Sequence, residues 1–244
     1  MLSSPSPNER LIIPLDFSDW PSAAAVVDAL PDVVFYKVGL ELYLSAGELA
    51  MKELKARGKK VFLDLKFHDI PNTVAQACRS ALRLGADILN LHGLGGQRMM
   101  SQAAKALADQ AQKDGLPRPA LIAVTILTSM GTEDLEEVGL NPSPAANVVT
   151  LAKLAGLSGL DGVVASPQEI SVIRKAMGKD FLILCPGIRP AWAETGDQRR
   201  TMTPREAIAA GADYIVVGRP ITKAADPVAA AASIIAEMQQ EVSP

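Results

Sequence analysis

The sequence predicts an α/β protein, a single (β/α)8 TIM barrel, on three observations. Short apolar runs and helical stretches alternate eight times along the chain. No shift in composition divides the 244 residues into two domains. Charged and hydroxyl residues gather where the apolar runs end, on the side of a barrel where active sites are built. Strict alternation requires a parallel sheet with right-handed crossovers, and eight units close it.

Met1 to Glu9 is rich in serine and proline and reads as a flexible tail, without the basic-then-apolar pattern of a signal peptide. The barrel then takes residues 10–244. Leu11–Leu15 is the first strand, ending at Asp16, and Pro21–Leu30 is the first helix. Val33–Val38 is strand two, with Lys37 inside it, and Ser45–Arg57 is a helix closed by Gly58. Val61–Leu65 begins strand three; Pro71 and Asn72 then turn the chain into a helix from Thr73 to Leu84. Ile88–His92 is strand four, followed by an alanine-rich helix over Gln97–Lys113. Ala120–Thr125 is strand five, continuing into Leu127-Thr128-Ser129; a helical turn near Thr132–Val138 precedes a helix over Pro144–Ala155. Gly162–Val164 and Pro167–Met177 are the sixth unit, and Phe181–Cys185 is strand seven. A polar loop, Arg189–Thr203, leads to a helix over Pro204–Ala210; Tyr214–Val217 is strand eight, and Asp226–Gln240 the last helix.

Composition narrows the function classes. The 24 basic and 27 acidic residues are dispersed, giving a formal net charge of −3, with no basic block for nucleic acid or a membrane surface. No apolar run approaches the length of a membrane span. Cys78 and Cys185 read as small buried residues rather than a disulfide, which suits a reducing cytoplasm. His68 and His92 lack metal-ligand spacing; His92 is expected to cap or hydrogen-bond near Gly93–Gly96. Neither a dinucleotide fingerprint nor a P-loop is present.

The chemistry concentrates in Asp64-Leu65-Lys66-Phe67-His68-Asp69-Ile70-Pro71-Asn72-Thr73. Asp64 and Lys66 are two apart, so an extended strand turns them to one side. Two such charges on a buried strand are costly unless paired. Asp16 and Asp64, on adjacent strands, offer Lys37 its partners. A structural ion network is the bland alternative. After strands seven and eight come Gly187-Ile188-Arg189 and Gly218-Arg219, loops that commonly bind phosphate in this fold. Gly218 admits backbone N–H groups close to a ligand, and arginine supplies a planar fork. The segment between them, containing Gln198, reads as a lid or as a long solvated loop.

Asp64-x-Lys66-x-x-Asp69 followed by Ile70-Pro71-x-Thr73 resembles the signature of the orotidine 5′-phosphate decarboxylase family, and the likeness runs from Asp16 to about Arg219. The resemblance implies loss of CO2 from C6 of orotidine 5′-monophosphate to give UMP, without metal or other cofactor. It implies Lys66 as the catalytic acid within a network of Lys37, Asp64 and Asp69, and Asp16 at the ribose. Thr128 and Ser129 would read the pyrimidine, while Arg189, Gln198, Gly218 and Arg219 would grip phosphate. It also implies a homodimer in which Asp69, Ile70 and Thr73 complete the neighbouring subunit's site.

Two other readings stand beside this one. A Mg2+-dependent sugar-phosphate lyase or decarboxylase shares the barrel and the Asp-x-Lys-x-x-Asp pattern; the Ile-Pro-x-Thr extension, Leu127-Thr128-Ser129 and Gln198 argue against it. A non-enzymatic sensor of a phosphoribosyl ligand would have no need of the buried charges.

Overall fold

The computed structural model describes residues 6–193 and 201–240. Eight parallel strands close a barrel in sequence order: β1 (Leu11–Pro14), β2 (Phe35–Gly39), β3 (Lys60–Phe67), β4 (Ile88–His92), β5 (Ala120–Val124), β6 (Gly162–Val164), β7 (Leu182–Cys185) and β8 (Tyr214–Val216). β8 returns to β1 through Leu11↔Ile215 and Ile12↔Val216. The helices around it are α1 (Pro7–Arg10), α2 (Trp20–Ala29), α3 (Leu40–Ala56), α4 (Pro71–Arg83), α5 (Gly96–Asp114), α6 (Thr132–Glu137), α7 (Pro144–Leu157), α8 (Ile170–Met177), α9 (Pro204–Ala210), α10 (Arg219–Thr222) and α11 (Pro227–Met238).

The two-residue period of the strands sorts their side chains into two cores. Ile12, Phe35, Phe62, Ile88, Ile122, Leu184 and Val216 point inward and fill the barrel. Their neighbours Leu11, Ile13, Tyr36, Val61, Leu63, Leu89 and Ile215 point outward and pack under the helices. Each fully buried large aliphatic contributes roughly 1.5–3 kcal/mol. Lys37 and Asp64 continue the inward series two residues beyond Phe35 and Phe62, so the alternation that fills the barrel also aims them at its upper end.

The opposite end is tied by a device that recurs three times. Gly85-Ala86-Asp87, Gly159-Leu160-Asp161 and Gly211-Ala212-Asp213 each precede a strand, with the glycine at φ 77, 80 and 110. That left-handed turn suits glycine. Each aspartate then accepts a backbone N–H from the start of the preceding strand: Val61 at 2.7 Å, Leu121 at 2.7 Å and Ile183 at 2.8 Å. Each also pairs with a cation, Lys55 at 2.8 Å, Arg118 at 2.8 Å and Arg174 at 2.5 Å. Otherwise unpaired strand-end donors are thereby satisfied.

Several boundaries depart from the sequence reading. Residues 7–9, read as tail, belong to α1, and Ser6 precedes it as the N-cap: Glu9 accepts from the Ser6 backbone N–H and hydroxyl and pairs with Lys60. The helix expected from Ser45 starts at Leu40 and is broken at Gly47, whose φ of 47 interrupts it. Val33 is in a turn rather than a strand, its N–H bonded to Leu30 O at 3.2 Å. β5 stops at Val124, and Leu127–Met130 is a turn closed by Met130 N to Leu127 O at 2.9 Å. The short α10 was not foreseen. Both cysteines are buried and free. No helix among the described residues is long and apolar enough to cross a membrane.

Candidate active site

Two adjoining cavities of about 220 and 450 Å3 open at the C-terminal ends of the strands, together within the range of small-molecule sites. The first is walled by Phe62, Val124, Ile126, Val164, Leu184 and Val216, with Lys37, Asp64, Lys66, Thr128 and Ser129 supplying polar atoms. The second is lined by Asp16, Lys37, Gly187, Arg189, Gly218, Arg219 and Lys223, among others. Lys37, Pro186 and Val216 belong to both, so one molecule can span apolar and cationic ends.

The charges form a chain. Asp16 Oδ1 accepts from Lys37 Nζ at 2.9 Å; Lys37 Nζ lies 3.5 Å from Asp64 Oδ2; Lys66 Nζ donates to Asp64 Oδ1 at 2.8 Å. Exposure falls from 60% for the Asp16 side chain to 13% for Lys37 and 12% for Asp64, then rises to 34% for Lys66. The middle of the network is therefore largely buried and both of its ends are open. Burial alone raises the Asp64 carboxyl's affinity for protons. Lys37 and Lys66, with hydrogen bonds from Lys66 and Asn90, outweigh it and hold the group below the ordinary carboxylate range. Gly39, at the end of β2, keeps this packing possible: a Cβ there would sit 2.8 Å from Lys37 Nζ.

Lys66 reaches Asp64 by a route the two-residue alternation does not describe. The ladder between β3 and β4 shifts register between Leu63 and Phe67, and Lys66 adopts φ 50. Among the described residues it is the non-glycine residue with a positive φ. Such a conformation costs roughly 1–3 kcal/mol and concentrates at functional sites. The sequence reading missed the residue opposite this bulge. Asn90 is fully buried; its Nδ2 donates to Asp64 Oδ1 at 2.7 Å and its Oδ1 accepts from Lys66 N at 2.8 Å. The available signal was an amide inside the apolar run Ile88-Leu89-Asn90-Leu91.

At the second cavity Arg189 is buried, and its Nε has no hydrogen-bond partner among the described residues. Burial first, and the neighbouring Arg219 charge second, make it easier to deprotonate than a free guanidinium. The Arg189 backbone N–H binds Met202 O at 3.0 Å, and Ile188 bridges Met202, which ties together the two ends of the intervening loop. Gly218 packs against β1, where an added Cβ would meet Pro14 Cγ at 3.0 Å. Gln198 lies outside the described residues.

Asp69, Ile70 and Thr73 line neither cavity of their own chain. Asp69 Oδ1 accepts from Ile70 N at 2.6 Å, Ile70 is 67% exposed at the start of α4, and Thr73 is exposed one turn on. His68 and His92 stack at 5.3 Å, and His92 Nδ1 accepts from Leu94 N at 3.3 Å, as expected of a local cap. Among the described residues no group of three or more His, Cys, Asp or Glu is arranged to hold a metal ion.

A family model described as "Orotidine 5'-phosphate decarboxylase / HUMPS family" matches residues 9–234. The chain belongs to that family. An orotidine 5'-phosphate decarboxylase of Moorella thermoacetica is 51% identical over 233 residues, 95% of this chain and 92% of the relative. One from Gloeothece citriformis is 49% identical over 234 residues, 96% of this chain and 99% of the relative. The crystal structure of an orotidine 5'-phosphate decarboxylase from Lactobacillus acidophilus superposes with a TM-score of 0.84 at 40% identity, covering 94% of this chain and 99% of that one. In this member of the family the barrel carries the charge chain and the two-arginine cavity side by side.

Proposed function

We propose that this protein is a carboxy-lyase that converts orotidine 5′-monophosphate to UMP and CO2 in pyrimidine biosynthesis, without metal or organic cofactor. The observation that carries the reading is the paired Asp16-Lys37-Asp64-Lys66 chain at a cavity that continues into a two-arginine cavity, in a member of this family.

The chemistry follows from what decarboxylation leaves behind. When the C6–carboxylate bond breaks, the electron pair stays on C6 in the plane of the ring, where the π system cannot absorb it. The pair must be stabilised electrostatically and then protonated. The Lys66 ammonium does both: it sets a positive charge beside C6 and transfers a proton to it, and the resulting amine is reprotonated from solvent. Asp64 orients Lys66. Lys37 at the junction of the cavities, together with Asp16, takes the ribose. Thr128 and Ser129 meet the pyrimidine against the apolar wall. Arg189, Gln198, Gly218 and Arg219 bind phosphate, whose remote binding energy helps fix the reacting end. The enzyme works as a homodimer in the cytoplasm, on a small nucleotide rather than nucleic acid or membrane. In it Asp69, Ile70 and Thr73 of one chain complete the other's site; their exposure away from their own cavities supports this.

The test is to incubate the protein with orotidine 5′-monophosphate and follow the pyrimidine absorbance, before and after exhaustive EDTA treatment. Decarboxylation at an unchanged rate is expected. No turnover by folded protein would overturn the reading; loss on chelation with recovery on adding Mg2+ would move it to the sugar-phosphate class.

A further inference from the structure

We infer that Asn90 is a positioning residue of the reaction, holding Lys66 and Asp64 in their reactive arrangement through the two ends of one buried amide. The inference rests on the reading of Lys66 as proton donor.

Asn90 lies two residues after Ile88, which packs inside the barrel, so its side chain also turns inward. It is 0% exposed, where an apolar residue would ordinarily complete the packing. A buried amide is tolerated only when hydrogen-bonded, and both ends of this one are. Its Nδ2 donates to Asp64 Oδ1 at 2.7 Å and its Oδ1 accepts from the Lys66 backbone N–H at 2.8 Å. A carboxylate at one end and an N–H at the other fix which way the amide faces.

The backbone shows why the second bond matters. β3 and β4 are in register at Leu63↔Leu89 and again at Phe67↔Leu91. Three residues of β3, Asp64 to Lys66, therefore face the single residue Asn90. The ladder is interrupted where Lys66 takes its left-handed φ of 50, and the Asn90 side chain accepts the N–H at that point. Bulges re-aim side chains next to active sites, and strained residues persist only where the surroundings over-determine them. On Asp64, Oδ1 receives both Lys66 Nζ and Asn90 Nδ2, which leaves Oδ2 turned toward Lys37 at 3.5 Å. A neutral amide does this without adding charge. A carboxylate at the same place would repel Asp64, and an ammonium would compete with Lys66.

The experiment compares Asn90→Ala, Asn90→Leu and Asn90→Asp with the parent and with Lys66→Ala. It measures kcat and KM for orotidine 5′-monophosphate, the Kd of UMP by calorimetry, and Tm. The Ala variant leaves a cavity, the Leu variant fills it, and both lack the amide. The expected result is a kcat loss of about 10²-fold in both, the scale of an ångström-level misplacement, with KM and the UMP Kd within about threefold of the parent. A folded variant without the amide that keeps kcat within threefold would overturn the inference. So would a kcat restored by Leu as Tm is restored, a UMP affinity that falls in step with kcat, or failure of all three variants to fold, because each describes a purely structural residue. Absence of turnover in the parent, or normal turnover by Lys66→Ala, would instead sink the proposed function or the proton-donor assignment.

Discussion

Both ends of the barrel pair aspartates with cations, yet they do different work. At the N-terminal end Asp87, Asp161 and Asp213 each join one cation and one strand N–H, just after turns whose left-handed residue is a glycine. At the C-terminal end Asp64 joins two lysines and an amide across a register shift and a left-handed residue, on the wall of a cavity. Ion pairing therefore does not mark a site by itself. The marks are a cation with an open side, strain in the backbone that carries it, and an enclosed space beside it. The first arrangement spends its polar groups on closing the sheet; the second keeps Lys66 34% exposed on the lining of a cavity.

The largest expected effect is at Lys66. Lys66→Ala should reduce kcat by at least about 10⁴-fold, the upper range for a positioned proton donor, while the circular dichroism spectrum stays that of the parent. Near-normal turnover by the folded variant would erase the distinction between the two ends.

Asp64→Asn tests how the upper network is held. Removing one partner from a buried ion pair typically costs about 3–5 kcal/mol, here because Lys66 would lose its carboxylate partner while Lys37 kept Asp16 alone. The Asp64 carboxyl sits below its ordinary pKa in the folded state. Its stabilisation is therefore present above the unfolded value of about 3.9 and lost as pH falls through the folded one. The Tm gap between parent and variant should be widest near neutrality and close in acid. A gap independent of pH between about 7 and 3 would mean that Asp64 is not held ionised by the lysines.

Within the C-terminal face, the lysine end and the arginine end should also separate. Arg219→Ala and Gln198→Ala should lower kcat/KM for orotidine 5′-monophosphate by about 10²-fold each, the loss of roughly 2–3 kcal/mol of charge-assisted bonding. Orotidine, which lacks the phosphate, should be used almost as well by the variants as by the parent. Equal losses on both substrates would place these residues in another role.

Lys66→Ala and Asp69→Ala, each inactive alone, should complement when unfolded together and reassembled. Random reassortment makes about half the dimers mixed, and one of the two sites in each carries both native residues. About a quarter of parental activity should return. Verified subunit exchange with no recovery would show that Asp69 serves its own chain.

The smallest effect on activity is expected at the other end of the barrel. Asp213→Ala removes the acceptor of the Ile183 N–H and the partner of Arg174. It should cost about 1–3 kcal/mol, a Tm drop of several degrees for a chain of this size, with kcat and KM unchanged at 25 °C. Thermal scans and initial rates on one preparation decide it; a matching loss of activity would mean that the two ends are coupled.

The barrel was legible in the sequence because burial on both faces of a parallel strand leaves short apolar runs that the solvent-facing helices separate. The same runs exposed Lys37, Asp64 and Lys66 as charges where charge is costly, and the glycine–arginine turns after strands seven and eight were local enough to read. Other features depended on partners distant in the chain. Asn90 looked like one polar residue in strand four until the β3–β4 register set it against Asp64 and Lys66. The left-handed Lys66 could not be foreseen from propensity, because its conformation is compensated by a side chain 24 residues away. The three Gly-x-Asp turns were not singled out from the sequence, because the strand each aspartate ties is decided only by closure of the sheet. Sequence determined which residues are costly to bury; the tertiary structure decided which neighbours make that burial tolerable, because hydrogen bonds and ion pairs depend on distances that only the closed barrel fixes.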